Sequence, residues 1–136
     1  MYKQELNQLT VYDFVAPFSG ALTPGNRWVQ FADHTDWLAL EAAYAMHFSH
    51  GGKQAISVRC AFGSLVIQRA LGLSDAQTVR MIAENPYLQY LIGMQEFSNE
   101  VPFSARTMAR FRSRIPEKEV LAAVRRLDDR PRKRIK

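Results

Sequence analysis

The chain has 136 residues, which is enough for one domain with a buried core and no covalent cross-links. Apolar residues make up 47% and charged residues 23%, as in ordinary soluble globular proteins. The single cysteine, Cys60, excludes an internal disulfide, and no apolar stretch approaches the roughly 20 residues that span a bilayer. No signal-peptide pattern opens the chain, so we expect a cytoplasmic protein with no membrane partner.

The net charge of +5 is unevenly distributed along the chain. Residues 1–103 carry six Lys/Arg against nine acids, a net of −3, whereas residues 104–136 carry twelve against four, a net of +8. One strongly basic end indicates nucleic acid or another anionic surface as a partner. The alternative at this point is a solvated basic tail with no binding role.

In the first 32 residues, apolar and polar residues alternate only over a short stretch, and proline and glycine interrupt the pattern. We therefore predict an extended N-terminal arm over residues 1–32 that packs on the rest of the domain. Its expected anchors are aromatic side chains: Phe14, Phe18, Trp28 and Phe31.

A helical domain is predicted for residues 33–127. The first helix starts near Asp36 and ends at Gly51-Gly52, and the second, over 56–71, is apolar on almost every face, which is typical of the buried centre of a bundle. Gly72 is the expected stop of that helix. Ser74 and Gln77 form a capping box for the third helix.

The third helix must end before Pro86, which suits the first position of a fourth helix ending near Gly93. Two short helices so closely joined predict a helix-turn-helix-like corner. Ser104 is the expected N-cap of a fifth helix that runs to about Ile115, and Pro116 opens a last helix with Val120, Leu121, Val124 and Leu127 turned inward.

The predicted fold is therefore all-α, a compact bundle of about five to six helices with an extended N-terminal arm. Residues 128–136 contain seven charges and are expected to form a disordered basic tail.

The helix over 104–115 is the best candidate for a binding surface. Met108, Phe111 and Ile115 share one stripe, while Arg106, Arg110 and Arg114 are spaced by four on the other side, with Arg112 at the flank. Like charges at this spacing repel slightly, so folding alone does not favour them. Guanidinium groups match phosphates and the acceptor edge of guanine. Hydroxyls at the helix start, from Ser104 and Thr107, suit a phosphate.

An equally simple alternative is that these arginines are solvated or paired with glutamates. In the last helix, Arg125 and Arg126 follow the helix dipole, so stability alone explains their placement. In the tail, Arg132, Lys133 and Arg134 would add salt-sensitive affinity for DNA without sequence preference. All of these residues are candidate DNA contacts.

No catalytic or metal-binding residue is predicted. His47 and His50 lack a second close pair of zinc ligands, and ordinary histidine environments explain them better. Cys60 lies in an apolar run, which favours a buried structural thiol. The acidic side chains have no spacing that builds a two-metal carboxylate site, so no cofactor is expected.

Several segments occur in the order and spacing of a known family. They are Asn26-Arg27-Trp28-Val29, Gly72-Leu73-Ser74-Asp75, Glu84 to Tyr90, Ile92-Gly93, Pro102-Phe103 and Phe111 to Ile115. From about Phe14 to Leu127 the chain resembles the N-terminal helical domain of bacterial insertion-sequence transposases of the DDE type. Relatives often have aspartate where Ser104 follows Pro-Phe.

The resemblance implies a module that binds the terminal inverted repeats of an element in duplex DNA, in association with the nucleoid. In that family a following domain holds two Mg²⁺ ions with three carboxylates and cuts DNA. The sequence ends before such a motif, so we expect a chain without its own catalytic activity: an isolated domain, a remnant, or part of a split reading frame. The alternative function is assembly, in which the bundle joins copies of itself or a catalytic domain and binds DNA only non-specifically.

Overall fold

The structure is a computed structural model that describes residues 17–47 and 56–128. These residues form seven α-helices, and no strand occurs among them. The helices are α1 Arg27–His34, α2 Trp37–Tyr44, α3 Val58–Leu71, α4 Asp75–Glu84, α5 Pro86–Leu91, α6 Thr107–Arg114 and α7 Glu117–Asp128. A turn over Pro17–Gly20, in which Phe18 and Ser19 have positive φ, precedes α1, and a short 3-10 helix at Ala45–His47 follows α2. The prediction of an all-α fold is confirmed.

Helix α1 was not predicted. Its N-cap is Asn26, whose side-chain oxygen accepts a hydrogen bond from the backbone N–H of Trp28 at 2.8 Å. Trp28, Val29, Phe31 and Ala32 bury one face of this helix. The prediction of irregular structure through residue 32 is therefore wrong for residues 27–32, and the helix count is higher than expected. Residues 1–16, with the predicted anchor Phe14, lie outside the described residues.

Helix α2 begins where the sequence indicates but ends at Tyr44, and the predicted end at Gly51-Gly52 lies outside the described residues. The Asp36 carboxylate accepts a hydrogen bond from the Ala39 N–H at 3.0 Å. Trp37 packs edge-on against Phe62 of α3, with ring centroids 6.2 Å apart, and its indole donates to the Ala32 carbonyl. None of the residues of α2 is fully buried, so this helix lies at the periphery of the bundle.

Helix α3 is the centre of the bundle, as its apolar sequence predicts. An unbroken run over residues 60–67 is buried. Five helices pack directly on α3, namely α2, α4, α5, α6 and α7, and α1 packs on α5 and α7. Gly72 ends α3 with φ +65°, a conformation that glycine adopts without steric cost. Gly63 lies so close to α5 that an added Cβ would be 3.3 Å from the Leu91 carbonyl oxygen.

Helices α4 and α5 begin where the capping residues and the proline of the sequence predict. Ser74 and Gln77 form the predicted reciprocal capping box of α4. Asn85 alone separates the two helices, and its side chain caps α5, in which Pro86 occupies the first turn. The corner therefore exists, while its interpretation as a helix-turn-helix stays a prediction.

Helix α7 completes the core against α3 and α1. Val120 and Leu127 are buried, as predicted, and Ala123 is buried between them. Leu121 and Val124, which were also expected inside, are only half-buried. Predicted tail residues beyond Asp128 lie outside the described residues.

Candidate nucleic-acid interface

The arginine helix α6 is anchored to the core by its apolar face. Met108 and Phe111 are buried on α6, and Ile115 is buried directly after it. Phe103, in the preceding loop, packs edge-on against Phe111 with ring centroids 5.1 Å apart. These contacts confirm the predicted apolar stripe and turn the polar side of α6 towards solvent.

Ser104 does not cap α6, so that prediction is wrong. The residue before the helix is Arg106, which forms no side-chain capping bond. Residues 104–106 instead form a turn, in which the Ser104 and Ala105 carbonyls accept hydrogen bonds from the N–H groups of Thr107 and Met108. The N–H groups of Thr107 and Met108 are thus engaged within this turn and are not available to a phosphate. The Ser104 and Thr107 hydroxyls remain together, 3.4 Å apart.

Arg106 and Arg110 are exposed cations of this surface without a described partner. Both are exposed, and neither side chain hydrogen-bonds or pairs with an acid among residues 17–47 and 56–128. Arg114 is half-buried and has an interaction of its own. Among the described residues, the four-residue spacing thus leaves Arg106 and Arg110 without a side-chain partner, unlike Arg114.

Arg112 is held by two residues distant in sequence. Its guanidinium donates to both carboxylate oxygens of Asp75, at 2.7 and 3.1 Å, and to the Gln68 side-chain oxygen at 2.9 Å. Gln68 also donates to Asp75 at 2.7 Å. The hydrogen bond from Arg112 lowers the pKa of Asp75, and the same bond raises the pKa of Arg112. Arg112 therefore joins α6 to the start of α4, which limits its freedom to meet a ligand.

A large cleft of about 610 Å³ lies beside this pair. Its rim also carries Arg69, which pairs with Glu117 at 3.2 Å. Both basic groups at the rim are thus already neutralised by acids.

A smaller groove, of about 260 Å³, lies along α6 itself. It is lined by apolar and basic side chains together: Ile56, Pro102, Phe103, Thr107, Arg110, Phe111 and Arg114. Arg110 is exposed at this groove, whereas Phe103 and Phe111 are buried beneath it.

The remaining basic candidates are spread out. Arg125 and Arg126 are exposed in the last part of α7, where the Arg126 guanidinium lies 5.1 Å from the Phe31 ring centroid. That cation–π contact joins α7 to α1. Arg132, Lys133 and Arg134 lie outside the described residues, so nothing places them relative to α6.

Two residues that hold the bundle together were not identified from the sequence. Gln89 is fully buried on α5, and its amide pairs with the backbone of Ser98 in the loop that leads to α6. Arg59 donates to the Tyr90 and Leu91 carbonyls and lies 4.8 Å from the Trp37 ring centroid. Burial lowers the pKa of Arg59. The only sequence signal for Gln89 is a polar residue among the apolar neighbours of α5.

Cys60 is buried, as the sequence predicts, and burial raises the pKa of its thiol to about 12. Within the described parts of the chain no three His, Cys, Asp or Glu residues approach closely enough to hold a metal ion. His50 lies outside those parts. No helix among the described residues is both long enough and apolar enough to cross a membrane.

The described residues thus form an all-α domain in which exposed arginines lie along α6. A model of the family described as Transposase domain (DUF772) matches residues 17–114, and the chain belongs to that family. A protein of Rhizobium meliloti described as "Uncharacterized protein ORF8 in nfe locus" is 30% identical over 94 residues, which cover 69% of this chain and 45% of that protein. The chain thus spans less than half of this relative's length. No solved structure matches the chain.

Proposed function

We propose that this domain is the DNA-binding module of an insertion-sequence transposase and that it recognises the element's terminal inverted repeats through α6. Arg106 and Arg110 carry the proposal, because both are exposed without a described partner while the other side of α6 is buried. Because the chain belongs to a transposase family, duplex DNA is the polyanion that these arginines are expected to bind. A nucleoid-associated location would follow, and Mg²⁺-dependent strand cutting would fall to a separate DDE domain.

The surroundings of α6 suit this role. Thr107 and Ser104 present hydroxyls beside Arg106, and such groups commonly contact DNA phosphates. Arg112 contributes mainly by fixing α6 against α4, and Arg114 lines the groove beside Arg110. Arg125, Arg126 and the basic residues of the tail would add affinity that salt weakens.

The experiment compares two double variants that remove the same charge. Arg106→Ala with Arg110→Ala changes α6, while Arg27→Ala with Arg80→Ala removes two exposed arginines from α1 and α4. Fluorescence anisotropy would measure binding to a duplex of the terminal repeat and to a scrambled duplex, at about 50 and 200 mM salt. We expect the α6 variant to lose about 1–3 kcal/mol per base-reading arginine on the repeat.

The control variant should lose only the affinity that its two missing charges explain, by the same factor on the repeat and the scrambled duplex. Equal losses in the two variants would show that α6 supplies charge alone. Unchanged affinity of a folded α6 variant would refute the assignment of Arg106 and Arg110.

A second function, assembly, is favoured by one observation. Leu38 and Met46, on α2 and in the turn after it, are 82% and 72% exposed, which is unusual for large apolar side chains on the same short segment. If this face joins two copies, light scattering at micromolar concentration gives a dimer that Leu38→Glu dissociates. A monomer at every concentration contradicts assembly.

A further inference from the structure

We propose that the groove between α6 and residues 56 and 102 receives the C5-methyl group of a thymine in the major groove of duplex DNA. This inference rests on the proposed function and adds to it a specific element of sequence recognition. The groove lies directly beside Arg110, so a DNA strand held by that guanidinium would bring a base edge to its mouth.

One wall of the groove, formed by Ile56, Pro102 and Phe103, suits an apolar group. Ile56 is half-buried, Pro102 is exposed, and Phe103 is almost fully buried, so the side away from α6 offers mainly carbon atoms. A phosphate placed there would lose water without gaining a donor from that wall. Thymine alone among the four bases presents a methyl group in the major groove, where apolar side chains recognise it.

The charges at the groove complement DNA. Arg110 lies on one wall without a described acidic partner, and Arg106 is exposed at the start of the same helix. By contrast, the larger cleft, lined by α3, the turn that follows it, and parts of α6 and α7, is bordered by arginines that already pair with Asp75 and Glu117. Electrostatic attraction of a polyanion therefore favours the groove at α6 over the larger cleft.

The test is a double-mutant cycle between the protein and the DNA methyl groups. One duplex of the terminal repeat contains thymine and a matched duplex contains uracil, which lacks only the methyl group. Burial of one methyl group is expected to give the wild-type protein about fourfold tighter binding to the thymine duplex. Pro102→Ala and Ile56→Ala should each reduce this preference, and Met81→Ala, at an exposed position of α4 outside the groove, should retain it.

Pro102 is exposed, so its variant keeps the test valid if Ile56→Ala fails to fold. A C5-methyl group can also come from 5-methylcytosine, and a duplex with that base in place of cytosine separates the two sources. Thymine recognition predicts unchanged affinity for it, and tighter binding would overturn the assignment to thymine.

Equal binding of thymine and uracil duplexes by a wild-type protein that prefers the repeat would overturn the inference and leave the proposed function standing. A preference for thymine that persists in both groove variants would also overturn it, because the methyl group would then be read elsewhere. No preference of the wild-type protein for the repeat over the scrambled duplex would instead reject the proposed function.

Discussion

Gln89 offers the most direct test of how the fold positions α6. Its side-chain amide is fully buried and forms three hydrogen bonds. The amide nitrogen donates to the carbonyls of Ile82, at 2.8 Å, and Ser98, at 2.9 Å, and the amide oxygen accepts from the Ser98 N–H at 3.0 Å. Gln89→Met keeps the length of the side chain and removes all three bonds.

The expected loss follows from these partners. Each hydrogen bond contributes about 1 kcal/mol, and a buried group left without a partner costs about 1–3 kcal/mol. Ser98 is half-buried and can regain water, whereas the Ile82 carbonyl can retain only the longer bond from the Asn85 N–H, at 3.3 Å. The apolar methionine offsets part of the cost. We therefore expect the free energy of unfolding to fall by about 2–4 kcal/mol, a large part of the ~5–15 kcal/mol of a typical domain.

Urea unfolding followed by circular dichroism would measure the loss, with Gln95→Met at an exposed position as the matched control. With a slope of about 2 kcal/mol per molar urea, in the middle of the usual range, the midpoint should fall by about 1–2 M. Hydrogen exchange should accelerate at the Ser98 amide, because its acceptor is gone. A loss below about 0.5 kcal/mol with Ser98 still protected would refute the reasoning.

Three further predictions concern other parts of the domain. Because Arg112 lowers the pKa of folded Asp75, their pair stabilises the fold above the unfolded pKa of about 3.9 and loses this effect as pH falls through the folded pKa. Asp75→Asn should lower the free energy of unfolding by less than about 1 kcal/mol, because the pair is largely exposed. This difference from the wild type should vanish at low pH, and a difference that stays constant with pH contradicts the reasoning. At pH 8 Cys60 should react with an alkylating reagent in the urea-unfolded protein but resist it in the folded protein, because burial raises the pKa of its thiol to about 12. Rapid labelling of the folded protein would count against burial of Cys60. Ending the chain after Ile115 removes α7 and, with it, the buried Val120 and Leu127, whose burial contributes about 1.5–3 kcal/mol of stability each. The shortened chain should therefore lose its cooperative thermal transition, and survival of that transition near the wild-type midpoint would show that α7 is dispensable.

The last of these matters because the family match ends at residue 114, before α7 begins. Yet α7 packs along α3 and places Ala123 and Leu127 in the core. The folding unit therefore extends to at least Asp128 in this chain.

Local chemistry explains what the sequence predicted well. The Ser74 capping box, the stop at Gly72 and the start at Pro86 depend on neighbours within a few residues, so they are visible in the sequence. The apolar stripe of α6 and the buried centre of α3 follow from helical periodicity for the same reason. Helix α1 was missed although Asn26 and the spacing of its aromatic residues signalled it, because nearby proline and glycine suggested an irregular arm.

Contacts between distant segments could not be read from the sequence. The spacing that placed Arg106, Arg110, Arg112 and Arg114 together gives no sign that Arg112 meets Asp75, 37 residues earlier. Nor does it show that Gln89 holds the loop before α6, or that residues 104–106 form a turn rather than a cap. Local hydrogen bonds and periodicity determined the helices. Their packing decided which arginines stay accessible, because a guanidinium is engaged only when folding brings an acceptor within its reach.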